Sequence, residues 1–275
     1  MEFRALIDRF KNMPSRPKIG LCLAGGAARG LSHIGVLQVF EEIGMPIDLI
    51  VGTSAGAIVG SLWASGVNSE KMHRLARKTE WWFLAKPALF DMGLLSSQGI
   101  EDWLERIIQV KEFKEMPIEF VATATDFLTG ELVVLHNGDV AHAVRISCTI
   151  PGIYKPVRYQ GRELVDGGLV QNLPAQVSRA FGAEILIGVD VHADLLGTGV
   201  PQTPVVALIH SANILQRQHE IVQLDMVDLI IEPKVGHLSP ISFNAVDQFV
   251  EHGQAAARER LDELASLLGK VVGGN

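Results

Sequence analysis

Twice between residues 19 and 66, a short apolar run leads through a small-residue turn into a helix-length stretch of small and apolar residues. Residues 19–24 (IGLCLA) pass through Gly25-Gly26-Ala27-Ala28-Arg29-Gly30 into LSHIGVLQVFEEIG, and residues 47–52 (IDLIVG) pass through Thr53-Ser54 into AGAIVGSLWASG. Apolar runs of this length fit strands buried on both faces, and the helices between them supply the crossovers that parallel strands need. The repetition therefore predicts an α/β chain, a three-layer sandwich with a mainly parallel central sheet. Gly44 and Pro46 stop the first helix. Further strands are expected at 118–125, 131–136, 153–165 with a turn at Gln160 and Gly161, 183–191 and 227–233, with a helix from about Asn172 to Phe181.

The remainder is organised around that frame. Residues 1–17 read as an N-terminal amphipathic helix, with Phe3, Leu6, Ile7, Phe10 and Met13 at helical spacing before Pro14 and Pro17. Packing of this stripe on the domain is preferred, because amphipathic helices usually serve cores; docking on a membrane surface is the other reading. Residues 67–117 form a helical apolar insertion in the central domain, 18–200. Its Trp81, Trp82, Phe83, Leu84, Leu89, Phe90, Leu94 and Leu95 suit either a cap over a site or a second core cluster. Residues 201–275 read as a helical completion of the same domain.

Composition removes some classes of function. Apolar residues make up 48% of the 275 and charged residues 20%, enough to build a core and unlike the polar composition of disorder. A net charge of −7 without a dense run of Lys and Arg lacks the electrostatic footprint of a nucleic-acid binder. Cys22 and Cys148 lie in apolar contexts and read as buried thiols of a reducing compartment. No stretch approaches the ~18 apolar residues of a membrane span, and the N-terminus lacks an apolar signal core. The expectation is a cytoplasmic protein, with peripheral contact at the inner face of a membrane left open and the oligomeric state unassigned.

The chemistry concentrates in three short segments. Gly52-Thr53-Ser54-Ala55-Gly56 is a G-x-S-x-G sequence between a strand and a helix, the context in which this pattern marks a nucleophile elbow. The turn sets Ser54 at a helix N-terminus, whose partial positive charge favours an anionic transition state. The Gly25-Gly26-Ala27-Ala28-Arg29-Gly30 loop occupies the equivalent place after the preceding strand, where close-approaching backbone N–H groups can form an oxyanion hole. A phosphate loop is the rival, but neither G-x-x-x-x-G-K-[ST] nor G-x-G-x-x-G is present. Arg29 reads as a clamp or anion contact. Asp166 ends a strand and precedes Gly167-Gly168, a turn that exposes a carboxylate where open α/β sheets place their sites. None of the nine histidines, His33, His136 and His142 among them, sits in a setting that singles it out. Asp190, His192 and Asp194 alternate on one face of a strand end, with no further ligand set to make a metal site of them.

The glycine loop, GTSAG and DGG stand in the order and approximate separation of the patatin-like phospholipase family, which this chain resembles from about Ile19 to Asp190. ISCTIPGIYKPV (146–157) also resembles the family segment before the aspartate. The resemblance implies a patatin-like fold with residues 18–200 as the catalytic domain and a helical apolar cap. It also implies a Ser–Asp dyad without histidine: Ser54 as nucleophile, Asp166 as base and the loop as oxyanion hole. Many members carry three consecutive glycines where this chain has Gly25-Gly26-Ala27. The expected activity is hydrolysis of fatty acyl esters of phospholipids or lysophospholipids through an acyl-enzyme, with lipid or acyl-ester substrate as partner and no metal or organic cofactor. Alternatives are a catalytically silent lipid-binding or adaptor protein, and a serine acyltransferase for which His33 or His210 would be essential.

Overall fold

The computed structural model describes residues 2–79, 86–87, 95–193, 207, 210–211, 214–217 and 222–273. In chain order the elements are α1 (Glu2–Lys11), β1 (Ile19–Leu23), α2 (Ser32–Ile43), β2 (Leu49–Gly52), α3 (Ala55–Ala64), α4 (Ser69–Lys78), β3 (Lys86–Pro87), β4 (Leu95–Ser96) and α5 (Gln98–Glu105). They continue with β5 (Glu119–Asp126), β6 (Leu132–Leu135), α6 (Val140–Ser147), β7 (Val157–Tyr159), β8 (Arg162–Asp166), α7 (Ala175–Ala180), β9 (Ile185–Val189), β10 (Leu229–Ile231), α8 (Val246–Glu259) and α9 (Leu261–Gly273).

The central strands bury both faces. In β1, Ile19, Leu21 and Leu23 join the larger apolar core while Cys22 joins a smaller one; in β9, Ile185, Ile187 and Val189 divide from Leu186 in the same way. A period of two with both sets buried requires a layer on each side of the sheet. Residues of α2, α3, α8 and α9 belong to the larger core, and Ala175 and Val177 of α7 to the smaller.

Among the described residues eight strands form one sheet in the order β10-β9-β1-β2-β5-β8-β7, with β6 also paired to β5. The run from β10 to β5 is parallel, as the strand–helix alternation predicts. Beyond it the sheet turns antiparallel: β6 and β8 both pair with β5, and β7 with β8. The β7–β8 hairpin turns at Gln160 and Gly161, whose φ of 48° and 80° suit a tight two-residue connection. Leu23 is in register with Gly52 and with Val189, so the segments following β1, β2 and β9 leave the sheet side by side at its carboxyl edge.

The flanking segments then find their places. Ile7 and Phe10 of α1 are fully buried, and the helix packs on α9 and α2. In the described parts of 67–117, Met72, Ala76, Leu104, Ile108 and Phe113 enter the larger core, and Ile100 serves both that core and a pocket wall. Trp81, Trp82, Phe83, Leu84, Leu89, Phe90 and Leu94 lie outside the described residues. Helices α2 and α8 cross with backbones nearly touching: a Cβ on Gly35 would fall 2.0 Å from the Val250 carbonyl oxygen, and one on Gly253 1.9 Å from that of Ser32. Cys22 and Cys148 are buried and unbridged. No described helix is long and apolar enough to cross a membrane.

Candidate active site

Ser54 stands between β2 and α3 with φ 53° and ψ −122°, a conformation that costs a residue with a Cβ on the order of 1–3 kcal/mol. Its surroundings hold it there. The Ser54 N–H donates to Ser147 Oγ at 2.9 Å, the Thr53 N–H to the Leu23 carbonyl at 3.1 Å, and Thr53 Oγ1 lies 2.7 Å from Thr123 Oγ1. The Ser54 hydroxyl faces the Asp166 carboxylate and the Cys148 thiol closely enough to pull the pKa of both down.

Asp166 is fixed at every polar atom of its backbone. Its N–H donates to the Thr149 carbonyl at 2.9 Å, and its own carbonyl accepts from Thr125 Oγ1 at 3.0 Å. On the side chain, Oδ1 accepts the Gly168 N–H at 2.8 Å. Burial pushes its pKa up from 3.8 to about 6, against hydrogen bonds from Ser54 and Gly168 and the influence of His192, which pull it down. Such a carboxyl is ionised at neutral pH yet a stronger base than an exposed one.

The loop after β1 meets this pair from the other side. A Cβ on Gly25 would lie 3.1 Å from Ser54 Cβ, and one on Gly30 2.4 Å from Ala55 Cβ, so the loop lies against the elbow. Ala27 takes a positive φ of 50° and opens a 3₁₀ turn running to Leu31. Gly25, Ala28 and Arg29 donate their N–H groups to the carbonyls of Asn172, Pro240 and Gly26 at 3.3, 3.0 and 3.0 Å. The amides of Gly26 and Ala27 have no hydrogen-bond partner among the described residues. Thus the two turns and the Asp166-Gly167-Gly168 turn, chosen from sequence, converge on Ser54. Beside it opens a pocket whose apolar wall includes Leu31, Ile58, Ile100, Ile150, Tyr154 and Phe243.

Several contributors are not visible in the motifs. Ser147 and Cys148 lie in the ISCTIPG segment, the one sequence signal that could have found them; burial and the charge of Asp166 push the Cys148 thiol well above its ordinary pKa. His192 corrects the expectation that no histidine stands out: it is 4% exposed, with Nδ1 3.0 Å from Asn172 Nδ2. His33 is fully buried, its Nε2 2.8 Å from the Ala24 carbonyl, and burial pushes its pKa down to about 4. His142 pairs with Glu101 and His136 packs edge-on against Phe181. Asp190 accepts the His192 N–H and binds Arg217; Asp194 lies outside the described residues, among which no three metal-ligating side chains gather. Motifs beyond residue 200 suggest no role, yet Pro240 supports the loop and Phe243 lines the pocket.

A parallel strand that breaks at a strained serine and continues as a helix is the strand–turn–helix geometry of an α/β fold with a sharp serine turn. A family model, that of the patatin-like phospholipases, matches residues 21–178, more than half of the chain. The chain belongs to the patatin-like phospholipase family. An uncharacterised NTE family protein of Mycobacterium tuberculosis is 35% identical over 185 residues, covering 66% of this chain and 51% of the relative. A second from that organism is 30% identical over 279 residues, 91% of this chain and 47% of the relative. Patatin-like phospholipase domain-containing protein 6 of Mus musculus is 34% identical over 184 residues, 63% of this chain and 13% of that protein. The chain thus spans about half the length of its mycobacterial relatives. Among solved structures, VipD from Legionella pneumophila shares the fold at a TM-score of 0.53 and 14% identity, over 90% of this chain and 67% of that one.

Proposed function

We propose that this chain is a serine lipid acyl hydrolase that cleaves fatty acyl esters of phospholipids or lysophospholipids through a Ser54–Asp166 dyad. The observation that carries the reading is a strained serine at the mouth of an apolar pocket, its hydroxyl facing a buried carboxylate that burial lifts to about 6. Asp166 takes the hydroxyl proton as Ser54 Oγ attacks the ester carbonyl. The carbonyl oxygen becomes an oxyanion, met by the N–H groups of Gly26 and Ala27 and by that of Ala55 at the start of α3. Collapse breaks the ester bond, and Asp166 returns the proton to the leaving alcohol. Water then attacks the acyl-enzyme with Asp166 again as base, releasing the fatty acid and restoring Ser54. The chemistry calls for no cofactor.

The pocket wall suits an acyl chain, whose transfer from water to such a surface is favourable by about 0.8 kcal/mol per methylene. Ile7 and Phe10 of α1 are buried and Phe3, Leu6 and Met13 pack against the core, so contact with a lipid surface is better served by exposed apolar residues in loops. Among these, Phe127, Leu128, Leu169 and Ile241 stand 50%, 79%, 41% and 55% exposed. The two buried free thiols accord with a reducing, cytoplasmic setting. An acyltransferase with His33 as base is disfavoured, since that ring is fully buried with its Nε2 at 2.8 Å from the Ala24 carbonyl.

The test is labelling by a fluorophosphonate probe with peptide mapping, on wild type, Ser54→Ala and Asp166→Asn, alongside hydrolysis of phospholipid and lysophospholipid. Labelling at Ser54 that depends on Asp166, together with fatty acid release, supports the dyad. A folded wild type that neither labels nor hydrolyses would instead support a silent lipid-binding protein.

A further inference from the structure

We infer that Asn172, held by His192, is a positioning residue that sets the oxyanion loop against the Asp166 turn. The inference rests on the hydrolase reading, because the placement of the loop affects rate only if the loop receives a developing oxyanion.

Asn172 comes shortly after the Asp166-Gly167-Gly168 turn and reaches across to the segment following β1. It grips Gly25 at both ends of the residue. The Asn172 backbone carbonyl accepts the Gly25 N–H at 3.3 Å, and its Nδ2 faces the Gly25 carbonyl at 3.5 Å. Its Oδ1 lies close to both turns: a Cβ on Gly25 would fall 2.6 Å from it, and one on Gly168 3.1 Å. A single buried amide, 4% exposed, therefore fills the space between the loop and the base turn. Gly25 immediately precedes Gly26 and Ala27, the two loop amides left to meet an oxyanion, so movement of Gly25 carries them along.

His192 decides which way the amide faces. An amide nitrogen can only donate, so with Nδ2 at 3.0 Å the ring accepts through Nδ1 and carries its hydrogen on Nε2. The ring also lies against the loop, since a Cβ on Gly26 would fall 3.5 Å from Nε2. The backbone of His192 has its own anchorage through its amide. The His192 N–H donates to Asp190 Oδ1 at 2.7 Å, and Asp190 Oδ2, fully buried, takes Arg217 at 2.6 Å. Arg217, Asp190, His192 and Asn172 thus form a chain of contacts running from beyond residue 200 to the loop. These contacts of the four run to the loop and to one another, and through them the four act on its geometry.

The experiment compares wild type, Asn172→Ala, His192→Leu and His192→Asn, the last keeping an acceptor oxygen near the place of Nδ1. Three readouts are taken: kcat and KM on p-nitrophenyl butyrate, the rate of fluorophosphonate labelling at Ser54, and the thermal midpoint. Asn172→Ala and His192→Leu are expected to lower kcat about 10- to 100-fold, the scale of a misplaced oxyanion donor, with KM within about twofold. Labelling should slow in proportion, because phosphonylation uses the same donors. His192→Asn should retain most of kcat, and Asn172→Ala combined with His192→Leu should be little worse than either alone. The inference is overturned if Asn172→Ala leaves kcat unchanged, if His192→Asn and His192→Leu are equally impaired, or if the losses follow the thermal midpoint. Wild type that neither labels at Ser54 nor turns over would remove the hydrolase reading and this inference with it; wild type and variants labelling equally well would remove this inference alone.

Discussion

The turns after β1 and β2 start level in the sheet, each ends at a helix, and each contains one non-glycine residue at positive φ, yet they present opposite things. At the second turn the strained residue is Ser54, whose own amide is engaged by Ser147 and whose side chain is the proposed nucleophile. At the first it is Ala27, whose methyl group has no chemistry and whose amide has no partner among the described residues. The same backbone device thus delivers a side chain on one strand and bare N–H groups on its neighbour. Strain at an L-residue is informative only when one asks which of its atoms the strain directs into the site.

The comparison can be broken most severely at the elbow. Ser54→Gly and Ser54→Ala should both lower ester turnover by at least about 10⁴-fold, since each removes the proposed nucleophile. They should differ in stability: the glycine relieves the positive φ and should gain about 1 kcal/mol in denaturant titration, whereas the alanine should not. Equal stabilities would mean that the elbow is unstrained. Next in size, Gly25→Ala should cost about 100-fold in kcat/KM, because the new methyl would press on Asn172 and Ser54.

A pH profile separates the two turns more gently. The loop contains no group that titrates near neutrality, so an acid limb centred near pH 6 in kcat/KM, about tenfold per unit below it, would report Asp166. The linked stability has a definite sign. Because the folded pKa is raised above the ordinary 3.8, the contribution of Asp166 is full below that pH and is lost as pH rises through about 6. Asp166→Asn, which cannot ionise, should therefore abolish turnover while flattening that decline in thermal midpoint. Smallest of all, Ala27→Gly should raise stability by no more than about 1 kcal/mol and change kcat by less than about threefold, since it relaxes φ without removing an N–H. A large loss of activity there would show that the alanine sets the angle of the donors.

These contrasts also mark what could be read in advance. Glycine at a strand end announces close approach, so the elbow, the loop and the Asp166 turn were legible, as was the parallel centre of the sheet. What each glycine approaches is not encoded locally. Nothing near Gly25 in the chain points to Asn172, and nothing near Ser54 points to Ser147, because those partners arrive through the order in which strands pair. The antiparallel end escaped for a similar reason: a hairpin at Gln160 and Gly161 fixes the pairing of β7 with β8 but not their placement beside β5. The apolar content of 67–117 signalled burial without saying whether it faced the core or the pocket, and Ile100 does both.

The near-contact of α2 with α8 has a consequence for the order of events during synthesis. Helix α2 continues directly from the loop that begins at Gly25, and its seat requires Gly253, far downstream, to lie against Ser32. On the ribosome the early strands can pair and the serine turn can form while α8 is still being made. The close seat of that helix against Ser32 can form only after it emerges, so the loop gains this neighbour later than the serine turn gains its own.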